Sequence, residues 1–246
     1  MKVRRDITIA KGPWGLRDVA KIMVLSIILP FGLMLVVVGL SHFGVLGQNV
    51  RAAIKANDLV LDTLFVIISL LVEVGLLWWL LRKYKARLSD LGLKKFTFWK
   101  GVLYVLGGFI AFAVLVAIAF VLLSIVAPSV DIDQAQDVGF EFGRAGIGLW
   151  VSFFVTVICA PIIEELYFRG LLLPTLTKRF GWAVGIVGSS TFFAILHGQT
   201  NVIIYTFILG CILSVFYIRL KSIIPGIALH MINNALAFVV LAGLIK

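Results

Sequence analysis

The stretch Pro161-Ile-Ile-Glu164-Glu165-Leu-Tyr-Phe-Arg169-Gly170 decides how this chain is read. It closes a run, Gly146 to Ile163, whose only other ionisable group is the thiol of Cys159. An ionisable side chain at membrane depth is costly, so it normally faces the interior of a helix bundle and marks a functional position. On a helix, Glu165 and Arg169 stand four residues apart, with the carboxylate on the N-terminal side that favours pairing. Glu164 points about 100° away from Glu165 and lacks that arginine. One glutamate therefore reads as half of a structural ion pair and the other as a reagent. The alternative is that both cap a span at the headgroup level.

The rest of the chain supports membrane depth. It is 61% hydrophobic and carries 14% charged residues, against roughly 25% in soluble domains, and its mean hydropathy is +1.11. A soluble globular fold is excluded. The expected fold class is all-α: a polytopic transmembrane bundle of seven or eight helices, enclosing a polar intramembrane cavity, in one membrane domain. The net charge of +10 would suit nucleic acid, but the basic residues flank apolar spans. That placement reads as topology determination and contact with anionic membrane lipids, not nucleic-acid binding. Cys159 and Cys211 lie in apolar segments without C-x-x-C spacing, so neither a disulfide nor a thiolate metal site is expected.

Outward from the glutamate pair, charge divides the chain into spans. Residues 1–21 form a basic cytoplasmic or interfacial segment around Trp14, and 22–145 hold the N-terminal membrane helices. The first apolar stretch, from Ala20 to about Leu40, is long enough to span and has no small-residue cleavage site, so it reads as a retained helix. Spans are expected over Ile22 to about Leu46, Thr63 to Leu81 and Gly101 to about Ala127, with Pro30 a kink in the first. The 82–100 loop is strongly basic, whereas Asp131, Asp133, Asp137 and Glu141 make the next loop acidic. A fourth span runs from Ile147 into Glu164 and Glu165. Pro174 is expected to break the following stretch, Leu166 to Phe180, into an interfacial or partly inserted helix. Further spans cover Trp182 to His197, Val202 to Ile218, with Asn201 as its N-cap, and Ile223 to Ile245. The alternation of loop charge places the N-terminus in the cytoplasm, and the six tryptophans near span ends read as an aromatic belt. The expected location is the plasma (inner) membrane.

Few residues in these spans can do chemistry. His42 reads as an interfacial residue. His197 ends one apolar helix, and His230 shares a helix face with Asn234 in another. Each alone is most simply an interhelical hydrogen bonder; together with Glu164 they form a set. A glutamate in an apolar setting can act as general base towards water, and a histidine on the same water can orient it and shuttle its proton. A second histidine with an asparagine amide can donate to the oxyanion of a tetrahedral intermediate. That chemistry is hydrolysis of a peptide bond by activated water, with no serine or cysteine nucleophile. Ser189 and Ser190 lack a nucleophile elbow. Glu164, His197 and His230 also form a set that zinc accepts. The His-Glu-x-x-His signature is absent, however, and the reading leans towards no obligatory metal. Glu73 has two readings, a residue lining the substrate cavity or, favoured because it lies outside the set, a structural partner of another helix; Asn233 reads as bonding between helices.

Glu164-Glu165-x-x-x-Arg169, Phe193-x-x-x-His197 and His230-x-x-x-Asn234 occur here in that order. They resemble the motifs of the CPBP intramembrane proteases, which include CAAX prenyl protease type 2 and bacterial Abi-type proteins linked to bacteriocin self-immunity. The resemblance covers the last third of the chain and makes 146–246 a catalytic helix core. It implies that Glu164 and His197 activate the water, that His230 and Asn234 form the oxyanion hole, and that Glu165 and Arg169 support the site. It implies a peptide or protein substrate, lipid-modified in the best-known cases, and leaves open metal-dependent and glutamate-type mechanisms. The rival readings are a non-proteolytic immunity or scaffold protein of the same fold and, more distantly, a proton-coupled transporter. One geometric condition follows: Glu164 and His197 reach a common depth only if the helix carrying Glu164 continues into the cytoplasm before turning.

Overall fold

A computed structural model describes residues 12–46, 58–132 and 146–242. Every regular element among the described residues is a helix, as a bilayer demands of any segment that must satisfy its backbone internally. Seven helices follow in order: α1 (Leu16–His42), α2 (Asp58–Tyr84), α3 (Phe98–Val126), α4 (Gly146–Phe180), α5 (Trp182–Ile195), α6 (Thr200–Leu220) and α7 (Ile224–Leu241). Six are long and apolar enough to cross a membrane; α5 is shorter. Most of the basic 1–21 segment, the 47–57 connection and most of the acidic loop (133–145) lie outside the described residues.

Helix α4 is the axis. It is one rod of 35 residues, and the expected break at Pro174 does not occur. A proline lacks the N–H owed to the carbonyl four residues back and crowds that carbonyl. Immediately before Pro174 the helix widens into a π turn, Leu166–Leu172, and local π adjustments of this kind accommodate prolines in membrane helices. A second π turn, Phe154–Cys159, lies upstream of the glutamates. Pro30 likewise sits inside a continuous α1.

The spans begin and end a few residues from the expected positions. Asn201 is not the cap of α6: Gln199 holds that place, and Asn201 is buried in the first turn. Trp14 is also not interfacial. It is 2% exposed and belongs to the main core with Val19, Ile22, Leu80 and Leu171, whereas Trp78, Trp79, Trp99, Trp150 and Trp182 are exposed as a belt requires.

Helices α1 and α2 pair antiparallel. Lys83 and Tyr84, at the end of α2, both reach Asp18 at the start of α1, each at 2.7 Å. A short 3₁₀ turn (Leu88–Leu91) then lies against α4, so close that a Cβ on Gly170 would stand 2.7 Å from the Leu91 carbonyl oxygen. Gly92, with φ +90, turns the chain there, and its carbonyl accepts from the Ile223 N–H at 3.0 Å. The ends of α2 and α6 and the starts of α3 and α7 thus gather at one end of the bundle, with Lys94, Lys95, Arg219 and Lys221. Helix α5 packs between the C-terminal part of α4 and α6.

Candidate active site

The α4–α5 hairpin has the long continuation beyond Glu164 that a common depth requires. From Glu164 the helix runs on to Phe180, the chain turns at Gly181 (φ +89), and α5 returns from Trp182 towards His197. At about 1.5 Å per residue the outgoing arm covers about 24 Å and the returning arm about 22 Å. Both side chains therefore arrive at one level, where they line a common cavity of about 360 Å³ with His230 and Asn234. Four polar residues from three separate segments converge, and the sequence-predicted set is brought together in full.

Each group is held by an identifiable contact. His197 lies just past the end of α5, and its Nδ1 is 2.9 Å from the Phe193 carbonyl oxygen. A carbonyl can only accept, so Nδ1 carries a proton, and in the neutral ring the lone pair is on Nε2. His230 is 2% exposed and lies between the two glutamates: Nε2 is 3.4 Å from Glu164 Oε2, and Nδ1 is 3.3 Å from Glu165 Oε1. Glu164 is thus not partnerless, as its position on the helix had suggested. Its partner comes from α7. Its side chain keeps 30% exposure where Glu165 keeps 1%, and that difference separates the group open to the cavity from the group sealed beneath it.

The sealed layer is an ion pair. Arg169 donates from one terminal nitrogen to Glu165 Oε1 at 2.6 Å and from the other to the Gly210 carbonyl on α6 at 3.1 Å. Bidentate planar donors suit such a crosslink between helices. The guanidinium lies 4.7 Å from the centre of the Phe193 ring. That ring also meets His197 at 4.9 Å, His230 at 5.6 Å and Phe168 at 5.0 Å, all edge-on. Phe193 is therefore the common wall of both histidines and the ion pair.

Asn234 donates from Nδ2 to the Thr156 carbonyl in the first π turn at 2.9 Å and accepts at Oδ1 from Asn233 at 3.5 Å. These two contacts fix which end of the amide faces which way and leave one N–H uncommitted to either. π turns recur at functional positions, and this one supplies the anchor.

Two assignments change. Asn233 lines the cavity and bonds its own neighbour rather than another helix. Glu73, on α2, also lines the cavity; among the described residues no Lys, Arg or His forms an ion pair with it. The signal for Glu73 was its position as a lone carboxylate in an apolar span. His42 ends α1 beside Phe43 and does not line the cavity. Cys159 and Cys211 are free thiols. Among the described residues no three His, Cys, Asp or Glu side chains are arranged to hold a metal ion. Glu164, His197 and His230 share the cavity, and no step below runs through a metal.

Residues 146–236 match the family model described as "Rce1-like: Type II CAAX prenyl endopeptidase Rce1-like". No curated protein and no solved structure matches the chain. The matched segment contains all six motif residues of the site, Glu164, Glu165, Arg169, His197, His230 and Asn234. That segment, rather more than a third of the chain, is similar to the type II CAAX prenyl endopeptidases.

Proposed function

We propose that this membrane protein is an intramembrane endopeptidase that cleaves a peptide bond with an activated water. The observation that supports this is the meeting of Glu164, His197, His230 and Asn234 in one cavity, with distinct supports for each. Glu164, the less buried carboxylate, takes a proton from water. The Nε2 lone pair of His197 orients that water and relays its proton. The hydroxide adds to the scissile carbonyl carbon, and the resulting oxyanion receives hydrogen bonds from His230 Nε2–H and the free N–H of Asn234. Collapse breaks the C–N bond, and the proton taken from water passes to the leaving amine. Glu165 and Arg169 hold His230 from behind.

The substrate is a peptide or protein, lipid-modified or not, that enters from the bilayer. Because the basic loops gather at one end of the bundle, that end and the N-terminus are assigned to the cytoplasm and the protein to the plasma membrane. The decisive experiment follows cleavage of candidate peptides, including prenylated C-terminal ones, by full-length protein in liposomes. Glu164→Ala and His197→Ala are compared with the parent chain. Loss of turnover in both, with unchanged thermal unfolding, supports the reading. Equal turnover by all three ends it and leaves the immunity or scaffold role.

A further inference from the structure

We infer that Glu73 is a specificity-determining residue, selecting substrates that present a lysine, an arginine or a free amine close to the scissile bond. The inference rests on the proteolytic reading and adds to it the chemical class of the substrate.

Three observations carry it. The first is placement. Glu73 projects from α2 into the cavity that holds Glu164 and both histidines, and its position is fixed from α4. The Tyr167 hydroxyl, three residues beyond Glu164, donates to the Glu73 backbone carbonyl at 3.0 Å. About one and two turns further along α2, Leu77 and Leu80 anchor the helix in the main core. The backbone that carries this carboxylate is therefore a fixed part of the cavity wall.

The second observation is its lack of a partner. Asp18 has Lys83 and Tyr84, Glu165 has Arg169, and Glu164 has His230. Among the described residues Glu73 forms no ion pair. A carboxylate at membrane depth is expensive and is normally matched by an opposite charge or faces a water-filled cavity that serves a pathway. Its complement is therefore to be sought in what enters.

The third is the sign of the whole cavity. Its wall includes two carboxylates, Glu73 and Glu164, and no lysine or arginine. Two carboxylates in one poorly solvated space disfavour each other's ionised form, and an entering cation favours that form in both. An entering carboxylate would be a third acid in that wall, with no guanidinium or ammonium lining it to receive the charge. The cavity thus discriminates by attraction on one side and repulsion on the other. Its volume, about 360 Å³, lies within the range of small-ligand pockets, ~300–1,000 Å³.

The test uses full-length protein in liposomes and a set of apolar peptides into which a single Lys, norleucine or Glu is introduced at successive positions. Cleavage is read by mass. At one position or two adjacent ones the parent chain is expected to prefer Lys over Glu by ~30-fold or more in kcat/KM, about 2 kcal/mol of discrimination. In Glu73→Gln the ratio should fall to within ~3-fold, with the loss lying in KM for the Lys peptide, and in Glu73→Lys it should invert. A second readout does not need turnover. The Glu164→Ala protein should bind a fluorescent Lys peptide ~10-fold more tightly than its norleucine counterpart, and the added Glu73→Gln should erase that difference. If the parent chain cuts none of the peptides but binding shows the charge preference, the protease reading fails and the cation site stands. If peptides are cut without charge preference, or Glu73→Gln lowers kcat equally for all three, the inference is overturned and the protease reading survives. No charge-dependent difference in either readout also overturns it.

Discussion

Helices α3 and α6 are both apolar enough to cross a bilayer, yet they do opposite work. Over its most apolar 18-residue stretch, none of α3 is buried against the rest of the chain, whereas half of the corresponding stretch of α6 is. Helix α3 turns Leu103, Ile110, Val121 and Ile125 outward. Helix α6 spends its faces on Arg169, on α5 and on the cavity. A similar hydropathy therefore marks a lipid-facing shell in one helix and a packed interior in the other. The lesson is that apolarity locates the membrane, and only the polar exceptions locate the core.

The sharpest way to break this contrast is to remove a polar exception. Glu164→Gln should lower kcat/KM by ~1,000-fold or more in a liposome cleavage assay, since general-base removal alone is worth ~100- to 10,000-fold; unfolding temperature should not move. Arg169→Met should act on the fold instead. Breaking a buried ion pair while leaving its partner charged costs ~3–5 kcal/mol, and the double change Arg169→Met with Glu165→Leu should recover part of it in a detergent unfolding series. Gly170→Ala tests the seam between core and shell. Its Cβ would meet the Leu91 carbonyl at 2.7 Å, and overpacking of this kind costs ~1–3 kcal/mol, readable as a lower unfolding midpoint. Chelation by 1,10-phenanthroline should leave cleavage within ~2-fold, because no step of the mechanism uses a Lewis acid; inactivation restored by zinc would replace that mechanism. The smallest effect belongs to the shell. Ile110→Ala, at a residue 65% exposed, should shift stability by ~0.5 kcal/mol or less and leave cleavage untouched.

The same contrast explains what the sequence could disclose. Polar and charged residues in apolar runs are rare, so Glu164, Glu165 and Arg169 stood out, His197, His230 and Asn234 gained weight only as a set with Glu164, and the ion pair between Glu165 and Arg169 followed from helix spacing alone. Glu73 offered the same local signal, but nothing near it in sequence reveals that α2 packs beside Ala160–Glu165. That placement is a tertiary fact. Pro174 misled for a related reason: its local rule assumes a regular α-helix, and the π turn over Leu166–Leu172 relaxes the clash on which the rule depends. Trp14 carried the composition of a belt residue and went to the core, because its burial depends on α2 and α4 folding over it. Span ends missed by a few residues because charges mark where lipid ends, not where backbone hydrogen bonding does.

The matched arms of the α4–α5 hairpin have a consequence for how this chain can change. Glu164 and His197 are registered by counting outward and back from the corner at Gly181. One residue inserted in a single arm would swing its terminal group about 100° around the helix and slide it 1.5 Å, out of step with its counterpart. Lengths beyond the pair can therefore drift only in tandem, one full turn added to each limb or none. The hairpin behaves as a caliper, whose jaws close on the same point only while both legs keep equal measure.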